Sequence, residues 1–175
     1  FNVCLPLSKY NLIYDDDGLP KIEECQKHSF LKYHQSPELT SSYEAFYNNE
    51  NQIQDKFINY WKFVLKHFKD NKYIIGLDLW NEPFPGNLWT NLRPFIPSYA
   101  TNNQILPFYS KLTTELRKVS PNFISMFQPS PFPDTLPFLG GFVAGGFSKS
   151  PEENEFKHKQ ALNVHSYCCE ASPNI

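Results

Sequence analysis

Residues 73–87 read YIIGLDLWNEPFPGN, an apolar run that breaks into Asn81-Glu82-Pro83. A carboxylic acid at the end of an apolar strand is a candidate proton donor, and the amide before it supplies both a donor and an acceptor. Pro83 cannot donate a ladder hydrogen bond, so it helps to end the strand. The aromatic neighbours Trp80, Phe84 and Trp89 are expected to desolvate Glu82, which raises a carboxyl pKa and keeps the acid protonated. Such an acid can hand its proton to a leaving oxygen, as glycosidic bond cleavage requires. The plain alternative is a carboxylate that caps a loop or pairs with a surface lysine. A second cue is His165 and Tyr167, two residues apart and therefore on one face of a strand. Their plain alternative is a satisfied core histidine and an aromatic filler.

The elements that would position these groups can be read from periodicity. In 51–69, Ile53, Phe57, Tyr60, Trp61, Val64, Leu65 and Phe68 recur at helical offsets and predict an amphipathic helix. Residues 73–80 come next as a short, nearly continuous apolar strand, of the kind buried on both faces in parallel sheets. A second helix is expected over 103–119, with the stripe Ile105, Phe108, Tyr109, Leu112, Leu116 and Val119. Strands are expected over 123–127 and 161–167, separated by a loop-like stretch from 128 to 159. Residues 1–49 read as a long loop with short helical pieces, a turn at Asp15–Pro20 and a weak helix start at Ser41, Ser42 and Glu44. The alternation implies βα units and a parallel sheet. In such folds the C-terminal strand ends form the functional rim, where Glu82 would sit with His165.

The bulk numbers narrow the field. A chain of 175 residues suggests one domain. The net charge of -2, with no basic stripe, gives no reason to expect nucleic acid. The longest uncharged apolar run is shorter than a membrane span. The Gly-rich 140–146 lacks the Lys-Ser/Thr ending of a phosphate loop and reads as an ordinary loop. Cys4, Cys25, Cys168 and Cys169 fit neither a zinc framework nor a redox motif. Cys4 and Cys25 could pair in a secreted protein, or all four are simply thiols. No signal peptide opens the chain, which reads as an internal piece of something longer.

The Asn-Glu-Pro strand end and the His-x-Tyr at 165–167 resemble glycoside hydrolase family 5, of the clan of (β/α)8 glycosidases. The stretch from Ile53 to Asn87, with Pro-Gly after Asn-Glu-Pro-Phe and a Cys after His-x-Tyr, is similar to the family's endoglycoceramidase branch. The resemblance implies a partial (β/α)8 barrel, from the loop after strand three through strand six, within one catalytic domain over 1–175. It implies that Glu82 is the general acid/base of a retaining hydrolase, that Asn81 contacts a sugar 2-hydroxyl, and that His165 and Tyr167 line the site. The nucleophile, a Glu ending strand seven, is expected beyond Ile175, so the chain alone is expected to be inactive. Asp78, on the same strand as Glu82, is expected in its buried part with a structural role. The implied substrate is a glycosphingolipid cleaved between oligosaccharide and ceramide, or another β-glycoside. No metal or organic cofactor is implied. Trp80 or Trp89 could stack on a sugar face, and the apolar loop 137–147 could touch a lipid or membrane surface; both also have a simple packing explanation. Secretion or lysosomal delivery is implied by the family alone. A non-catalytic glycolipid-binding protein on the same fold is the competing reading.

Overall fold

The computed structural model describes residues 13–27, 33–93, 96, 98–131 and 146–165, with Cys25 in its backbone only. Tyr167, Cys4, Cys168, Cys169 and nearly all of the apolar loop 137–147 lie outside the described residues.

The described chain runs α1 (Ile22–Cys25), α2 (Pro37–Tyr47), α3 (Ile53–Phe68), β1 (Gly76–Asp78), α4 (Leu106–Arg117), β2 (Ile124–Phe127) and β3 (Gln160–Leu162). The three strands form one parallel sheet in the order β1-β2-β3. Gly76 pairs with Ile124, and Ser125 with Gln160. Parallel neighbours need a crossover between them, and α4 supplies it between β1 and β2.

The turn at Asp15–Pro20 forms as its residues dictate. Asp15 Oδ1 accepts the backbone N–H groups of Asp17 and Leu19, and Gly18 takes a positive φ of 75°. Among the described residues of 1–49, α2 is a full helix of 11 residues, and its start lies earlier than Ser41. Ser36 is the N-cap, its Oγ accepting Leu39 N–H at 3.3 Å, with Pro37 at the first helical position and Glu38 in the first turn. The chain then kinks through Asn49, Asn51 and Gln52, all at positive φ. Asn49 Oδ1 accepts Gln54 N–H and Asp55 N–H, which caps the start of α3.

The inward face of α3 is rotated from the expected stripe. Ile58 and Leu65 are buried and Phe57 and Trp61 pack on the core, whereas Ile53, Tyr60 and Phe68 are exposed. Aromatic residues on two flanks of α3 blurred the period. The stripe of α4 is as expected: Ile105, Phe108, Tyr109, Leu112 and Leu116 are buried, with Val119 packed alongside. A wider π turn, Thr101–Ile105, leads into it.

The strand expected over 73–80 is shorter. Tyr73, Ile74 and Ile75 are exposed, because a turn around Asn71 takes up the first residues: Asn71 O accepts Ile74 N–H and Asn71 Oδ1 accepts Tyr73 N–H. Nor is it buried on both faces. Leu77 and Leu79 pack under α3 and α4, while Asp78 points to the open face. Asp78 is therefore not in the buried part of the strand, although its hydrogen bonds from Gln128 and Asn163 give it the structural role expected. β3 spans three residues, and Asn163 just beyond it still donates its backbone N–H to Phe127 O of β2.

At the N-terminal end of the sheet, Arg117 and Glu152 form a buried ion pair. Arg117 Nε and Nη2 donate to the two Glu152 carboxylate oxygens at 2.8 and 2.9 Å. Ser125 Oγ donates to the same carboxylate, and Arg117 also donates to Phe123 O and Lys159 O. The pair thus ties the end of α4 to β2 and to the approach of β3.

Candidate active site

All three strands point the same way, so the residues after each strand emerge on one edge of the sheet. Trp80-Asn81-Glu82 lie past β1, Gln128 lies past β2, and Asn163 to His165 lie past β3. This edge brings the two sequence-predicted groups together: His165 Nδ1 lies 2.7 Å from Glu82 Oε1. At that distance one proton lies in the hydrogen bond between imidazole and carboxylate. The residues that make the contact are far apart in sequence and meet only because the strands are parallel.

The surroundings of Glu82 differ from those expected. Its side chain is 37% exposed and its partner imidazole 29%, so the carboxyl does not sit in a greasy pocket. The aromatic residues turn elsewhere. Trp80 packs edge-on against Phe46 and Phe108, with ring centroids 4.5 and 5.2 Å away, and stacks on Tyr47 at 5.9 Å. Trp80 is therefore partly buried and packed against the core through aromatic partners on α2 and α4, the packing explanation that its sequence position also offered. Phe84 is buried against Tyr43. Trp89 is the exposed aromatic, 63% accessible, with its indole N–H donating to Gln35 O at 2.8 Å. Asn81 is exposed beside the acid.

Glu82 also has an unusual backbone, with φ at 46°. A non-glycine residue there carries strain that its surroundings must hold. Its N–H donates to Gln128 Oε1 at 3.0 Å. The loop beyond it is clamped to α2. Tyr47 OH donates to Phe84 O at 2.7 Å, Asn87 N–H donates to Glu44 Oε2, and Asn87 Nδ2 donates to Ser41 Oγ. Gly86 in this clamp has φ 98°, a conformation that L side chains rarely adopt, so the backbone calls for the glycine of the motif.

The clamp brings in a residue that the sequence did not reveal. His34, just before α2, packs its ring 6.3 Å from that of Phe84 and senses the charge of Glu82. Burial pushes the His34 imidazole below its ordinary value of 6.5, and the Glu82 carboxylate pulls it part of the way back. Replacing Glu82 by glutamine removes the upward pull alone. The His34 titration midpoint, followed by NMR of its ring protons, is expected to fall further in that variant; a midpoint that rises or stays fixed contradicts the contact. Gln128 was legible in principle, since Phe127-Gln128-Pro129 repeats the pattern of a polar residue between a strand and a proline. His34 had no such signal, because no periodicity in 28–36 says where α2 folds back.

Among the described residues no group of three His, Cys, Asp or Glu side chains could hold a metal ion, and no helix is long and apolar enough to cross a membrane.

Comparison with known proteins fits this arrangement. The chain is 28% identical over 166 residues to an endoglycoceramidase of Cyanea nozakii and 26% identical over 163 residues to one of Hydra vulgaris. These alignments take in 95% and 93% of this chain but 31% and 30% of those proteins, so the chain spans less than a third of the length of the curated relatives it matches. Solved structures of endo-glycoceramidase II from Rhodococcus sp., in complex with ganglioside GM3 and with a cellobiose-like isofagomine, superpose with TM-scores of 0.63 and 0.64. Each covers 90% of this chain and 31% of the other, at 19% and 18% identity, a likeness that carries the fold: an α/β segment with parallel strands, of the (β/α)8 kind. The cellulase model, glycosyl hydrolase family 5, matches residues 22–172. With that model matched along most of the chain, the chain belongs to glycosyl hydrolase family 5.

Proposed function

We propose that the protein of which this chain forms part is a retaining glycoside hydrolase that cleaves the bond between oligosaccharide and ceramide in glycosphingolipids. The observation that carries this reading is the 2.7 Å contact of Glu82 with His165 at the C-terminal rim of a parallel sheet. The substrate class is supported by the endoglycoceramidase relatives.

In this reading a second carboxylate attacks the anomeric carbon while Glu82 gives its proton to the departing ceramide oxygen. The carbon–oxygen bond breaks and a glycosyl-enzyme ester remains. Glu82, now ionised, takes a proton from water, whose oxygen attacks the anomeric carbon and releases the sugar. Retention needs the two carboxyl groups roughly 5–5.5 Å apart. We place the nucleophile in the part of the protein outside these 175 residues, so the chain by itself is inactive. Asn81, His165 and Tyr167 would contact the sugar, and Trp89, exposed beside the rim, would offer it a flat apolar face.

The family model is that of cellulases, which makes a soluble β-glucan the informative control. The full-length protein is expected to release intact oligosaccharide from a glycosphingolipid in preference to cleaving the glucan. Cleavage of the glucan alone would move the protein to another β-glycosidase of the family. Binding of the glycolipid with no cleavage of either would make it a binding protein.

A further inference from the structure

Gln128 is 3% exposed and sits at the end of β2, between the two strands that carry Glu82 and His165. Its side chain is fully engaged. Oε1 accepts Glu82 N–H at 3.0 Å, and Nε2 donates to the Asp78 carboxylate, 3.4 Å from Oδ1 and 3.3 Å from Oδ2. The amide orientation follows from chemistry, since only the oxygen can accept from an N–H and only the nitrogen can donate to a carboxylate. Asp78 Oδ2 also accepts Asn163 Nδ2 at 2.9 Å. Asn163 in turn donates its backbone N–H to Phe127 O at 2.9 Å. Two residues beyond Asn163, His165 meets the Glu82 carboxylate. The hydrogen bonds therefore close a ring across the ends of all three strands, entering Glu82 at its backbone and leaving it at its side chain.

The ring is held from below by Tyr109. Its hydroxyl donates to Trp80 O at 3.3 Å and accepts Gln128 N–H at 3.3 Å. Burial pushes the Tyr109 phenol up, the Gln128 N–H opposes this and the Asp78 charge adds to it, so the phenol stays a neutral donor.

We propose that Gln128, locked by Asp78 and Asn163, is the positioning residue for the catalytic acid. The inference rests on the assignment of Glu82 as acid/base. Residue 82 is held at φ 46°, a conformation unfavourable for an L-residue that persists only where neighbours over-determine it. Gln128 supplies that constraint through the one backbone donor whose direction depends on φ at residue 82. His165 fixes the other end. A carboxyl anchored at both ends presents its proton along one line.

The test uses the full-length protein. Gln128→Met keeps the length of the side chain and removes the acceptor and the donor. It is expected to lower kcat about 100-fold, the effect of a misplacement near 1 Å, with KM little changed. Gln128→Glu alone sets a carboxylate against Asp78 and is expected to be at least as impaired. The pair Asp78→Asn with Gln128→Glu reverses the donor and acceptor between the two side chains while keeping an acceptor for Glu82 N–H, and is expected to recover most of the rate. A mere packing role would give no such recovery. Amide hydrogen exchange supplies an arm that needs no turnover. Exchange at Glu82 is expected to accelerate in Gln128→Met, while Leu79, whose N–H donates to Met126 O at 3.0 Å, keeps its protection. Unchanged exchange at Glu82, or a double variant no better than the worse single one, overturns the proposal. If the wild type cleaves neither glycolipid nor glucan, the proposed function fails, and the exchange experiment still decides whether Gln128 holds residue 82.

Discussion

Glu82→Gln in the full-length protein is expected to lower oligosaccharide release from a glycosphingolipid about 10²–10⁴-fold, the usual worth of a positioned general acid. The ceramide alcohol is a poor leaving group unless it is protonated, and an amide has no proton to transfer to it. The substitution is nearly isosteric, and the 37% exposed side chain fills no cavity in the core, so folding is expected to be unaffected. The diagnostic control is an aryl glycoside whose leaving group is stable as an anion. Its first step needs no acid, and the loss for that step should be small. Equal losses on both substrates would point to a binding role for Glu82, and full activity on the glycolipid would end the acid/base assignment.

The second large effect concerns folding and lies at the other end of the sheet. Glu152→Ala is expected to destabilise the protein by about 3–5 kcal/mol, because it leaves the Arg117 guanidinium charged and buried without its partner. The side chains of Arg117 and Glu152 are 5% and 3% exposed, and Ser125 Oγ loses its 2.7 Å acceptor in the same step, keeping only the longer bond to Lys159 O. Two contacts soften the loss without replacing it. The guanidinium carbon lies 4.0 Å from the Phe123 ring centroid and 4.7 Å from that of Phe156. Urea unfolding of the full-length variant measures the effect. A change below about 1 kcal/mol would mean that water reaches the pair. Replacing both partners by apolar residues of similar volume is expected to be much milder than removing one.

The residues that were legible and those that were not differ in how far their roles depend on distant chain. α4 was readable because Ile105, Phe108, Tyr109, Leu112 and Leu116 form one unbroken stripe, and all of them are buried. α3 misled because Ile53, Tyr60 and Phe68 are large and apolar yet face outward, which a count of apolar spacing cannot distinguish. The start of α2 was placed too late because its signal, Ser36-Pro37-Glu38, lies in a polar stretch with a weak apolar pattern. At the site, Glu82 and His165 were legible as strand ends, since parallel strands deliver their ends to one edge. The environment of Glu82 was not. Adjacency in sequence placed Trp80 and Phe84 beside the acid, but both rings pack against α2; among the described residues the Glu82 carboxyl meets His165, and its charge is felt by His34. Tertiary placement of this kind has no local signature.

The left-handed conformation of residue 82, with φ at 46°, sets the carboxylate against the stability of the fold. Glycine would relax there at once, and asparagine tolerates the region better than glutamate does. Glutamate at this position therefore holds its oxygen atoms at the sheet edge at a cost in folding stability that glycine would not carry.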